Sequence, residues 1–137
     1  MSVATPNPHM NQAPTILVCE DSPVVRIFVK RTLEGAFEGA QILEAMDGKQ
    51  GLSMMKSHRI DLIVTDLQME GMDGDSFLHL IKRNPILAKK PVLVLSGMIS
   101  NELRQEFAGR ADVSFIPKPA GGELLAETAQ RMLGVPR

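Results

Sequence analysis

The stretch Ile16-Leu17-Val18-Cys19-Glu20-Asp21-Ser22-Pro23 decides the fold. A short apolar run of this kind reads as a strand buried on both faces. It stops at two acids. Ser22 then offers a hydroxyl that can cap a helix. Pro23 suits the first helical position, where its missing N–H costs nothing. Val25, Phe28, Val29 and Leu33 follow at helical spacing, and Gly35 and Gly39 punctuate the exit.

The same alternation continues outward from this unit. Residues 41–45 read as a second strand and 47–56 as a second helix, with Leu52 and Met55 on its apolar face. A third strand over 62–65 ends in Asp66. A glycine-rich turn over 71–74 leads to a third helix carrying Phe77, Leu78 and Ile81, which Asn84-Pro85 ends. A fourth strand over 92–95 ends in Ser96. A short helix over 101–108 places Leu103 and Phe107 four apart. The fifth strand, 113–116, runs into Pro117-Lys118-Pro119, and Gly121-Gly122 opens a last helix. Leu124, Leu125, Thr128, Ala129 and Met132 are expected to give that helix one apolar face. Five strands alternating with five helices predict an α/β fold with a parallel sheet covered on both sides. Right-handed crossovers favour a flavodoxin-like, doubly wound sheet of order 2-1-3-4-5.

Composition bounds the function. With 137 residues, 44% of them hydrophobic, the chain suits a single domain with a packed core. A formal net charge of -1 argues against a strongly basic footprint, so no direct nucleic-acid partner is expected. A single cysteine, Cys19, excludes an intramolecular disulfide framework and a multi-cysteine zinc site. No apolar run approaches the roughly 20 residues of a membrane span. No Lys or Arg precedes Arg26, so a secretory leader is not expected either. The expectation is a cytoplasmic protein without a membrane partner. Residues 1–14, with Pro6, Pro8 and Pro14, read as a flexible lead-in in which His9 is an isolated bystander; residues 15–137 form the domain.

The polar residues fall at informative places. Strands in a parallel sheet share a direction, so Glu20-Asp21, Asp66, Ser96 and Lys118 reach one edge. In this fold class ligands bind at that edge, at the switch point between the first and third strands. Carboxylates gathered there repel one another unless a small hard cation such as Mg²⁺ neutralises them. Lysine adds a point charge suited to a phosphoryl oxygen, and serine adds a hydroxyl donor. Aspartate is a known covalent nucleophile toward phosphorus.

On these residues the chain resembles the receiver domain of two-component response regulators, of the single-domain chemotaxis-regulator kind, from about residue 15 to 133. Glu20-Asp21 is similar to the family's acidic pair and Asp66 to its phosphoacceptor. Met69 and Met72-Asp73-Gly74 stand at the family's places. Ser96-Gly97, Lys118-Pro119 and Phe115 resemble its hydroxyl, lysine and aromatic switch positions. Each motif alone is weak; five in order on the correct strand ends are specific.

The resemblance implies roles. Asp66 would accept a phosphoryl group from a phosphohistidine on a sensor histidine kinase or histidine phosphotransfer protein. Asp21, Asp66 and the backbone carbonyl of Gln68 would hold Mg²⁺ or Mn²⁺, with Glu20 acting mainly through water. Lys118 would pair with the carboxylate and then with the phosphoryl group, and the Lys118–Pro119 bond would be cis. Ser96 would move toward the phosphoryl group and Phe115 would turn inward. That motion would reshape the face formed by the fourth helix, fifth strand and fifth helix, for a downstream protein or a phosphorelay. Gln68 and Met98 would tune self-dephosphorylation. Gln68 can orient a water and Met98 cannot, which gives a moderate to slow rate. Glu70 replaces the family's usual proline, which bears on loop rigidity and kinase docking.

Other readings compete. Asp21 can help cap the first helix, Ser96 can be a loop hydroxyl, and Phe115 can be static core. A haloacid-dehalogenase-type phosphatase also uses a strand-end Asp, but needs a second Asp two residues on, where Gln68 stands. A flavodoxin-like cofactor binder needs a hydroxyl- and Gly-rich phosphate loop, where Glu20-Asp21-Ser22-Pro23 would repel the anion. A degenerate receiver acting as a constitutive scaffold is disfavoured by the intact acidic pair, Asp66, Ser96 and Lys118.

Overall fold

The computed structural model describes residues 13–69 and 71–134. Most of the proposed lead-in, including His9, lies outside the described residues, as do Glu70 and the side chain of Asp73. Pro14 is already buried, and its carbonyl accepts from the Gln41 amide at 3.0 Å.

The chain runs β1 (Thr15–Cys19), α1 (Pro23–Ala36), β2 (Gln41–Ala45), α2 (Gly48–Ser57) and β3 (Leu62–Thr65). A small pair follows, β4 (Gln68–Met69) and β5 (Met72–Asp73), then α3 (Gly74–Arg83), β6 (Val92–Ser96), α4 (Asn101–Glu106), β7 (Val113–Pro117) and α5 (Gly122–Leu133). Five strands form one sheet of order β2-β1-β3-β6-β7, every pairing parallel. With the antiparallel β4–β5 pair left out of the count, this is the 2-1-3-4-5 order expected. The sequence reading missed the β4–β5 hairpin: it took 71–74 as a plain turn. Gln68 faces Asp73 and Met69 faces Met72, and Gly71 turns the chain at φ +81°.

Strand alternation sends side chains to two cores. Ile16, Val18, Leu62, Val64, Leu93, Leu95 and Ile116 pack with Val29 and Leu33 of α1 and Leu125 and Ala129 of α5. Leu17, Cys19, Ile63, Val92, Val94 and Val113 pack against Met55 of α2, Phe77, Leu78 and Ile81 of α3, and Leu103 and Phe107 at α4. The winding is therefore double, with two helices on one face and three on the other.

Two expected core residues are corrected. Phe28 is 41% exposed and Leu124 52%. Both lie beside the true stripe of their helix, which is Val25, Val29, Leu33 on α1 and Leu125, Thr128, Ala129, Met132 on α5. A neighbour of a buried position is turned about 100° away on a helix, toward solvent.

The helix starts are as the chemistry suggests. Ser22 caps α1, its hydroxyl accepting from the Val25 amide, with Pro23 at the first position. Asp47, taken above as the first residue of the second helix, is its cap and accepts from the Gln50 amide at 2.7 Å. Gly51 has a packing reason: a Cβ there would lie 2.7 Å from Cys19 Sγ. The α2 backbone thus lies directly on β1. Cys19 is fully buried and free, and burial pushes its thiol up to about 12, so it acts as a small apolar group.

Candidate functional site

The sheet registers bring the polar strand ends together. Cys19 pairs with Thr65, so Glu20 and Asp66 lie side by side just beyond the ladder. The Asp66 amide still donates to the Cys19 carbonyl at 3.0 Å, and the Glu20 amide to Ala45 at 3.0 Å. On the other side Ser96 pairs with Pro117, and the Lys118 amide donates to the Ser96 carbonyl at 2.9 Å. The Lys118–Pro119 bond is cis.

Parity then sorts the side chains. Glu20 continues the series of Ile16 and Val18, Asp66 that of Leu62 and Val64, and Lys118 follows Ile116 by two. These three lie on the α1/α5 side and converge. The Lys118 Nζ donates to Glu20 Oε1 at 2.7 Å and to Asp66 Oδ2 at 2.9 Å. Ser96 and Phe115 have the opposite parity, with Val94 and Val113, and belong to the α4 side.

The acids are buried, with Glu20 3% and Asp66 4% exposed, while Asp21 is exposed. Buried carboxylates need partners. Glu20 Oε2 accepts from the Ser22 amide at 3.0 Å and Asp66 Oδ1 from the Gln68 amide at 3.0 Å, which leaves Lys118 on the other oxygen of each. Burial pushes the Glu20 carboxyl above its ordinary range, and the hydrogen bond from Lys118 only partly offsets this. Burial also acts to lower the Lys118 ammonium, but the Glu20 and Asp66 carboxylates together outweigh it and hold the ammonium above its ordinary value. The two directions agree physically: one cation gains two acids, whereas Glu20 gains one cation and also faces Asp66.

One oxygen each from Glu20, Asp21 and Asp66 falls within 4.8 Å of the other two. A set of hard carboxylate oxygens at one partly open edge fits Mg²⁺ or Mn²⁺ and has no soft ligand that would favour zinc or copper. Glu20 and Asp21 differ sharply although they are neighbours. Glu20 is buried and held by Lys118, because its parity carries it inward while Asp21 stays outside.

Ser96 is fully buried, and its hydroxyl donates to the Met98 carbonyl at 3.3 Å and lies 3.4 Å from the Met98 amide, from which it accepts. It is engaged on the α4 side rather than against Asp66. Phe115 is half-buried against the α2–α4 core, and the Arg104 guanidinium of α4 lies 5.9 Å above its ring centre. The Gln68 side chain is exposed, with its Oε1 3.5 Å from the place a Cβ would take on Gly97. Gly97 thus leaves room for that amide at the mouth of the site. Met98 is 70% exposed. Val24, Val25, Phe28, Leu95, Pro119 and Ala120 line a cavity of about 380 Å³ with Lys118 on its wall.

Sequence reasoning missed Arg26. Its Nη1 donates to the Glu20 carbonyl at 2.7 Å, and its Nε lies 3.3 Å from Glu44 Oε1 on β2. Nothing in the spacing of α1 distinguishes Arg26 from a solvated helix residue. It also missed a partner for His79, whose Nε2 lies 2.7 Å from Glu106 Oε2, joining α3 to α4.

A parallel α/β sheet with two buried acids and a lysine at its switch point is the arrangement that the resemblance to receiver domains implies, and the sequence comparisons show that family. Residues 16–130 match the response regulator receiver domain family, and the chain belongs to that family. It is 32% identical over 124 residues to the chemotaxis protein CheY-3 of Vibrio cholerae, covering 90% of this chain and 94% of that protein. It is 33% identical to the gliding motility regulatory protein of Myxococcus xanthus over 121 residues, 85% of this chain but only 15% of that protein. Against the sensor histidine kinase TmoS of Ectopseudomonas mendocina it is 29% identical and spans 12% of the protein. The chain thus spans a small fraction of these two relatives and nearly all of CheY-3. The solved structure of the chemotaxis response regulator CheY4 of Vibrio cholerae superposes with a TM-score of 0.76 at 29% identity, covering 88% of this chain and 99% of that one. The chain is therefore a CheY-like receiver domain of two-component signalling, a class that works with histidine kinases and normally binds Mg²⁺ in an acidic pocket. No helix among the described residues is long and apolar enough to cross a membrane.

Proposed function

We propose that this receiver domain, residues 15–137, is a Mg²⁺-dependent phosphoacceptor switch with Asp66 as the nucleophile. The observation that carries this is the Lys118 ammonium bridging the Asp66 and Glu20 carboxylates at the switch point. An Asp66 oxygen attacks the phosphorus of a phosphohistidine on a sensor kinase or phosphotransfer protein. The P–N bond breaks, and its electron pair returns to the imidazole. Lys118 pairs with the Asp66 carboxylate and then with the phosphoryl oxygens. Asp21, Asp66 and the Gln68 carbonyl would hold the divalent cation, with Glu20 acting mainly through water, and the cation would supply charge neutralisation of the phosphoryl oxygens.

Ser96 leaves the Met98 backbone to donate to the phosphoryl group, and Phe115 follows into the space vacated. The α4–β7–α5 face changes shape and is read by a downstream protein or passes the group along a relay. The shared parity of Ser96 and Phe115 supports this coupling, since both face the same core. Gln68, lying across Gly97, orients water only in part, and Met98 not at all, so the aspartyl phosphate is moderately to slowly hydrolysed. A half-life of seconds contradicts that reading. Borohydride reduction of the phosphorylated protein tests the whole proposal: an acyl phosphate at Asp66 is converted to homoserine at position 66 in the peptide map. An unreduced Asp66 in the peptide map of protein shown by mass to carry the phosphoryl group would overturn it.

A further inference from the structure

We infer that Arg26 is a positioning residue for the metal-binding acids, an inference that rests on the function proposed above. Asp21 is exposed and follows the last residue that β1 ties to the sheet, so its direction depends on the peptide that carries it. That peptide is planar, and the Glu20 carbonyl and the Asp21 amide share its plane. The Glu20 amide is fixed to Ala45, while its carbonyl has left the ladder and accepts instead from Arg26 Nη1 at 2.7 Å. Holding the carbonyl therefore sets the rotation of the plane from which Asp21 projects.

Arg26 is built for this task. It lies one turn into α1, its own amide donating to the Ser22 carbonyl at 2.9 Å. Helical side chains lean toward the helix N-terminus, which here is the site. Its side chain is only 15% exposed, and its Nε lies 3.3 Å from Glu44 Oε1. Lys30 approaches the other oxygen of Glu44 at 3.4 Å. The guanidinium fork thus spans from β2 to the β1–α1 turn, which a single ammonium cannot do in two directions at fixed geometry. Partners that orient metal ligands typically carry about tenfold or more in metal affinity.

The test measures Mg²⁺ binding by calorimetry and the Asp21 amide by NMR in metal-free protein. For Arg26→Ala we expect about a tenfold loss of Mg²⁺ affinity, by the usual effect of such partners, together with a shifted and more mobile Asp21 amide. Arg26→Lys recovers part of both. Glu44→Ala and Lys30→Ala, which leave the Glu20 carbonyl bond possible, change affinity by less than about twofold on the same scale. Equal losses for Arg26→Ala and Glu44→Ala with an unmoved Asp21 amide would overturn the inference, because Arg26 would then merely brace α1 on β2. If wild type binds no Mg²⁺, the phosphoacceptor reading fails while the Asp21 amide still reports on Arg26. Should Arg26→Ala not fold, Arg26→Lys decides alone: an unmoved Asp21 amide and unchanged affinity overturn it.

Discussion

Lys118 is the cation paired with both buried acids of the site. It neutralises two carboxylates that would otherwise be buried within reach of each other. Removing one partner of such a cluster leaves uncompensated charge, which costs about 3 kcal/mol in buried settings. Lys118→Met should therefore destabilise the fold by about that amount near pH 7. The pH dependence follows from Glu20. Its folded-state carboxyl is raised by burial, so its contribution to stability is complete below its unfolded value and is lost as pH rises through the folded one. Without Lys118 the folded value rises further. The deficit of Lys118→Met should shrink as pH falls from 7 to 5, and urea unfolding at both pH values checks it; a constant deficit would contradict it. At the same scale, Arg104 over Phe115 is a cation–π contact worth under about 1 kcal/mol. Arg104→Ala should leave stability nearly unchanged and let the Phe115 ring reorient faster in aromatic NMR spectra.

At the scale of elements, the close approach of α2 to β1 depends on one missing atom group. Gly51→Ala would place a methyl 2.7 Å from Cys19 Sγ and 3.4 Å from the Phe77 ring. Overpacking of this kind costs about 1–3 kcal/mol, more than the gain of up to about 1 kcal/mol in helix propensity. In a Cys19→Ala background the cost of Gly51→Ala should fall by at least half, since the colliding sulfur is gone. Denaturant titration of the four-member cycle measures it, and additive losses would contradict the packing explanation. Elements also show what the sequence could reveal. Four of the five sheet strands were legible because short apolar runs leading to Glu20, Asp66, Ser96 and Lys118 have no other comfortable reading, and the fifth, Gln41–Ala45, because it continues their alternation with helices. The β4–β5 hairpin was not, because two-residue strands have no period to detect. Phe28 and Leu124 were misplaced because an apolar neighbour of a helical stripe looks like part of it until the facing elements are known. Arg26 was invisible for a different reason: its main partner is a backbone carbonyl, which every residue possesses and no sequence pattern marks.

Across the whole molecule the sheet separates function from anchoring. The site occupies the C-terminal edge of the strands. At the opposite edge Lys82 of α3 donates to the Ala88 and Lys90 carbonyls and to Asp112 at 2.8 Å, just before β7. Arg110 grips the same carboxylate at 2.9 and 2.7 Å. Hydrogen bonding from Arg110, then from Lys82, holds Asp112 down at about 2 from an ordinary 3.8. A depressed carboxylate contributes stability that is present above the unfolded value and is lost as pH falls toward the folded one. The wild type should thus lose stability between about pH 4 and 2 at this cluster, and Asp112→Asn should flatten that portion of the acid profile. The Lys82 side chain is only 5% exposed, so Asp112→Asn should also cost about 2 kcal/mol at pH 7. Phosphorylation should be unaffected, because the cluster lies across the sheet from Asp66. Thermal melts across the pH range, paired with phosphoryl incorporation at pH 7, measure both halves.

The most direct test of the phosphoacceptor chemistry is the intact mass of wild type and Asp66→Asn after incubation with acetyl phosphate, with and without Mg²⁺. No Trp is present in the chain to report the event by fluorescence, so mass is the readout. Wild type with Mg²⁺ should gain one phosphoryl group, and neither Asp66→Asn nor metal-free wild type should gain any. Equal incorporation into Asp66→Asn would contradict it, as would a wild type that neither gains mass nor binds beryllofluoride.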